Sequence, residues 1–217
     1  MSVDDASPPD APLDDDAVLL VGHASRREKS NDQVREVAAD LEADLGSPVD
    51  AAHLELAGPA IPDAIGTLAP TCRRLTVVPL SLFGASHVKN DIPLAVQTAR
   101  ARFDGVTIRY GSHLGVHPSL VDLLDDRVRS IEADLGVDRD ADDVAVVVCA
   151  RGSSDPDSNA DVHKLARLLY EGRDLDRVAA SFIGVTTPAL DDTLPAVATA
   201  RPDATPVVPS MLGAAVL

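Results

Sequence analysis

Residues Val18–Leu41 read VLLVGHASRREKSNDQVREVAADL, and residues Val146–Leu169 read VVVCARGSSDPDSNADVHKLARLL. Each opens on a short aliphatic run of the kind that forms a strand buried on both faces. Each then crosses a polar, glycine-containing segment into a stretch with apolar residues at helical spacing. In the first these are Val34, Val37, Ala38, Leu41 and Leu45. At an offset of 128, Ser25 meets Ser153, Asn31 meets Asn159, Val34 meets Val162, Ala38 meets Ala166 and Leu41 meets Leu169, while His23 meets Arg151. The offset then drifts by one or two, so that Pro59 meets Pro188 and Val77-Val78-Pro79 meets Val207-Val208-Pro209. A strand–helix unit is therefore repeated in tandem.

Working outward, strands are predicted at Ala17–Val21, Val49–Leu56, Leu75–Leu82, Val106–Tyr110, Val144–Cys149, Val178–Gly184 and Thr205–Pro209. Helices are predicted at Asp32–Leu45, Ala60–Leu68, Asp91–Ala101, Ser119–Leu135, Ala160–Tyr170 and Ala189–Ala198, with Pro118 as a helix-start residue. Helices between continuous apolar strands imply βαβ crossovers. The fold class is α/β, a doubly wound parallel sheet in tandem repeat, with an incomplete second copy. At the last offset of 130, Leu217 falls opposite His87, so the second copy holds about three βα units. The expected organisation is a disordered acidic tail over 1–16, a complete lobe over 17–137 and a partial lobe over 143–217.

Composition narrows the function classes. The 217 residues carry 35 acids against 19 bases, a net charge of -16, and only three of the bases are lysine. Such an Asp-rich, Lys-poor surface is typical of halophilic proteins. It also disfavours nucleic acid, which needs a basic stripe, and anionic membranes. The start of the chain has neither a positive nor an apolar region of signal type, and no run approaches a membrane span. Cys72 and Cys149 form no disulfide framework and read as buried thiols. A cytoplasmic location is expected.

Ligands of open parallel sheets bind beyond the carboxyl ends of the strands. His23 follows the first strand, Glu55 ends the second within AAHLELAGPAIP, and His87 lies past the third within VVPLSLFGASHVKNDIP. A 2-1-3 strand order puts all three on one rim. Two imidazoles and a carboxylate suit a first-row divalent metal with coordination positions left open. His53 alternates onto the same strand face as Glu55 and reads as a bystander. His113 and His117 fall in a Gly/Pro-rich loop. Asp91 reads as a helix-start residue. Neither a dinucleotide fingerprint nor a P-loop occurs.

VLLVGHAS, Asn31, LELAGPAIPDAI, VVPLSLFGASHVKNDIP and LGVHP, taken in order, resemble the class II tetrapyrrole chelatases of the CbiX/SirB type over about residues 17–135. The second copy is similar to the C-terminal half of the long members, which also lack the histidine there. The resemblance implies ATP-independent insertion of Co2+ or Fe2+ into sirohydrochlorin, with no other cofactor. It implies His23, Glu55 and His87 as metal and catalytic residues. Ala24 departs from the family's usual glycine. Ser25, Arg26 and Lys89 are candidates for meeting substrate carboxylates. Cobalt insertion for cobalamin synthesis is the leading expectation, and iron insertion for siroheme the alternative. A non-catalytic metal- or tetrapyrrole-binding protein is the rival. An uncovered last strand predicts a homodimer.

Overall fold

The computed structural model describes residues 14–23, 28–54 and 57–211. Two compact units emerge: residues 1–78 with 93–111, and residues 79–92 with 112–217. Compactness thus divides the chain differently from the sequence repeat.

In the first unit, β1 (Asp14–Gly22), β2 (Val49–His53), β3 (Cys72–Pro79) and β4 (Thr107–Tyr110) form one sheet in the order β2-β1-β3-β4. Pro79 itself falls in the second unit. The 2-1-3 order read from sequence is present. β1 pairs with β2, and β3 with β4, in parallel. Leu19, Val21, Leu75, Val77 and Ile108 are buried in the core. Helix α2 (Ile61–Leu68) turns Ile61, Ala64, Ile65 and Leu68 inward. Helix α3 (Ile92–Arg102), whose Ile92 falls in the second unit, buries Val96 and Ala99. β1 begins earlier than expected. The last three residues assigned to an acidic tail are strand residues, and Asp16 pairs with Arg74 on β3 at 2.5 Å. Residues 1–13 lie outside the described residues.

In the second unit, β5 (Ala145–Ala150), β6 (Arg177–Phe182) and β7 (Val207–Pro209) repeat the arrangement in the order β6-β5-β7, all parallel. The correspondence is fine-grained. The bridge His53–Ala60 has its counterpart in Phe182–Ala189, and α2 and α6 (Leu190–Ala198) are both preceded by an alanine near φ -71°. Gly58–Pro59 and Thr187–Pro188 are both cis.

Helix α4 (Pro118–Leu135) explains the division into units. His117 caps it by accepting from the Ser119 N–H at 3.2 Å, Pro118 occupies its first turn, and Gly136 ends it at φ 68°. Its Val121, Leu124 and Val128 share one core with Val146, Val148, Val208 and the Leu165 and Leu169 of α5 (Pro156–Gly172). Helix α1 (Glu28–Leu45) departs from expectation here. Only Val34 and Ala38 of its five-residue stripe are buried, whereas Val37 is 38% and Leu45 55% exposed. The α5 counterparts of Val37 and Leu41, Leu165 and Leu169, are fully buried with α4 beside them. Arg139 sits under α4, with Nη1 donating to Asp125 at 2.8 Å and Nη2 to Glu132 at 2.8 Å, all three nearly buried.

Candidate functional site

β1 ends at Gly22, and His23 follows it directly, exposed. Gly22 lies opposite His53 in the parallel register, and its carbonyl accepts from the Leu54 N–H at 3.2 Å. The carboxyl ends of β1 and β2 therefore stand side by side. Glu55 and Leu56, and Ala24 to Arg27 with the candidates Ser25 and Arg26, lie outside the described residues. The second-copy counterpart of Ala24 is Gly152 at φ +86°, where an added Cβ would stand 2.1 Å from the Gly184 carbonyl oxygen. In that loop the Asn159 side chain bonds Ser153 twice, at 2.9 and 2.8 Å.

His53 is a buried imidazole, 1% exposed, with neither ring nitrogen hydrogen-bonded in normal geometry. Burial first, and then the Arg35 charge, hold its pKa below the ordinary histidine value, against a pull from the Gly58 backbone. It is therefore a neutral ring. In the second copy its place is taken by Phe182.

In the second unit, His87 opens a π-helical turn, His87–Asp91, in which the Ile92 N–H reaches the His87 carbonyl. Such a turn holds one residue more than an α-turn and recurs at functional sites. Here it sets His87 Nδ1 2.6 Å from Asp91 Oδ2. A carboxylate at Nδ1 favours the tautomer protonated there, in which Nε2 is the ring's acceptor nitrogen. Asp91, expected as a helix-start residue, directly precedes α3, and its carboxylate also reaches His87, a contact that the His-x-x-x-Asp spacing signals.

Lys89, two residues on, has its Nζ 2.8 Å from Asp155 and 2.7 Å from Asp157. Hydrogen bonds to Asp155, and then to Asp157, raise the Lys89 pKa, and Lys89 in turn lowers that of Asp155. The candidate for substrate carboxylates thus already holds two carboxylates of the chain. A Cβ added at Gly84 would stand 3.0 Å from the His113 ring, and His117 is the α4 cap. Among the described residues no three His, Cys, Asp or Glu side chains gather as a metal-ligand group, and no helix is long and apolar enough to cross a membrane. Cys72 and Cys149 are buried thiols, as the sequence analysis expects.

Comparison with known proteins adds to these observations. Residues 17–131 and 145–217 match the family model described as CbiX. A sirohydrochlorin cobaltochelatase of Priestia megaterium is 36% identical over 179 residues, 81% of this chain and 57% of that protein. A sirohydrochlorin ferrochelatase of the same organism is 32% identical over 181 residues, 82% of this chain and 66% of that protein. The chain thus spans 57% to 66% of the length of these two curated relatives. The solved structure of SirB from Bacillus subtilis with Fe3+ superimposes with a TM-score of 0.80 at 29% identity, over 93% of this chain and 79% of that one. Its two repeated units, the strand that His23 directly follows, the turn that carries His87 and a family model matched along both copies lead to one conclusion: the chain belongs to the CbiX family.

Proposed function

We propose that the protein is a sirohydrochlorin chelatase that inserts a divalent metal into the macrocycle without ATP. The observation that carries this reading is His87 with its Nδ1 held by Asp91, at the family's HVKNDIP motif. His23, Glu55 and His87 hold the incoming metal, and support for this set comes from their matching motifs and strand-end positions. Insertion releases two pyrrole N–H protons as one dication enters, so the charge at the ring centre is conserved. Neutral imidazoles suit both halves of the task. They bind the metal without trapping it, and once free they accept a proton. Glu55 balances charge or carries a proton away.

Cobalt is the preferred metal in this reading, as one relative is a cobaltochelatase, and iron is the alternative. Both accept His and carboxylate ligands, so residue type does not separate them. Among the described residues β7 stands at the edge of its sheet, which supports pairing of two chains. The test is His23→Ala and His87→Ala, each expected to abolish metallation of sirohydrochlorin while leaving circular dichroism unchanged. Wild-type rates in either variant would remove that residue from the set.

A further inference from the structure

Lys89 lies in the same turn as His87 but projects differently, since residues two apart on a helical turn do not share a side. Its ammonium is clamped between Asp155, whose side chain is 11% exposed, and the more open Asp157. Asp155 is no loose partner. It is the N-cap of α5, accepts from the Asp157 N–H at 3.1 Å, and donates its own N–H to Ser153 Oγ at 3.0 Å. Ser153 is in turn fixed by Asn159. The far end of the Lys89 side chain is therefore anchored to a loop that is itself held at every step.

The repeat makes these acids informative. The loop 151–155 is the second-copy counterpart of the loop after His23, with Arg151 in place of the histidine. At the same offset of 128, Asp155 and Asp157 stand opposite Arg27 and Lys29. The first copy carries two cations where the second carries two anions. A copy that merely lost its histidine has no need of that reversal. A copy that receives Lys89 does.

We propose that the second copy takes part in metal insertion through this contact. Asp155 and Asp157 grip Lys89 and thereby fix the turn that presents His87, so that Lys89 is a positioning residue and not a binder of substrate carboxylates. The proposal rests on the chelatase reading for its effect on turnover, but not for its effect on metal binding. The ion pairs are partly exposed and add little to global stability. Breaking them therefore leaves the fold intact and loosens the turn.

The experiment compares the full-length wild type with Lys89→Met, Lys89→Arg, Asp155→Asn/Asp157→Asn and the combination of the first and third. Asparagine keeps the helix cap while removing the charge. Two quantities are read: Co2+ affinity of the protein alone, and kcat and KM for sirohydrochlorin. Positioning expects Lys89→Met to weaken Co2+ binding and lower kcat by about tenfold each, the low end for groups that orient a ligand. The KM for sirohydrochlorin stays unchanged. The double asparagine variant shows the same loss, the combination shows no more than either, and Lys89→Arg restores both readouts. A raised KM with unchanged kcat in Lys89→Met, or an asparagine variant with wild-type Co2+ affinity, overturns the proposal. If the wild type accelerates nothing, the chelatase reading has failed, and Co2+ affinity alone still decides whether Lys89 positions His87.

Discussion

Asp91→Ala is the sharpest perturbation of the site. It removes the carboxylate 2.6 Å from His87 Nδ1 and leaves the imidazole without the group that fixes its proton and ring plane. A hydrogen bond involving a charged partner contributes about 1.5–3 kcal/mol. The His87 side chain is 39% and that of Asp91 58% exposed, so water replaces part of the loss. The low end, about 1.5 kcal/mol, therefore applies, and it corresponds to about a tenfold weaker metal. This agrees with the roughly 10–100-fold cost of removing a group behind a metal-bound histidine. Isothermal titration of Co2+ into wild type, Asp91→Ala and Asp91→Asn measures it. Asparagine still offers an oxygen to Nδ1 and is expected between the other two. Asp91→Ala affinity within twofold of wild type would show that Asp91 does not orient a ligating histidine.

Four further outcomes concern stability. Arg139→Met strands Glu132 under α4, leaves Asp125 only the bond from Arg129 at 2.9 Å, and is expected to cost about 3 kcal/mol in urea unfolding; a loss below about 1 kcal/mol would make the cluster equivalent to a surface pair. Burial pushes the Asp125 pKa up, but bonds from Arg139 and Arg129 outweigh it and hold it below 3.8. Its contribution is therefore complete above that value and is lost as pH falls through the lower folded value, a loss reduced in Arg139→Met, where Arg129 remains, in acid titrations. Gly152→Ala would set a methyl 2.1 Å from a backbone oxygen at φ +86° and is expected to lower the melting temperature sharply, whereas an unchanged value would mean that the loop relaxes freely. His53→Phe, copying Phe182, removes an unpartnered buried imidazole and is expected to stabilise by about 1–3 kcal/mol, with destabilisation counting against burial of a neutral ring.

Much of the fold was legible because the second copy repeats the apolar spacing of the first. Leu19, Leu75 and Val147 lie in short aliphatic runs that read as strands and are strands. What the pattern did not carry was partnership. Helical spacing marks Val37 and Leu41 as apolar, but their counterparts Leu165 and Leu169 are buried through packing with α4, a helix from another stretch of sequence. The same holds at the site. His23 and His87 stand out by residue type and strand-end position. Asp91 and Lys89 act through contacts that spacing suggests only once the π-turn and the α5 cap are known.

One measurement bears most directly on the central claim: the visible spectrum of sirohydrochlorin with Co2+, with and without the wild-type protein. Metallation faster than the spontaneous reaction, lost in His87→Ala, is the result expected of a chelatase. Binding of the tetrapyrrole or the metal with no acceleration would contradict it and leave a binding protein in its place.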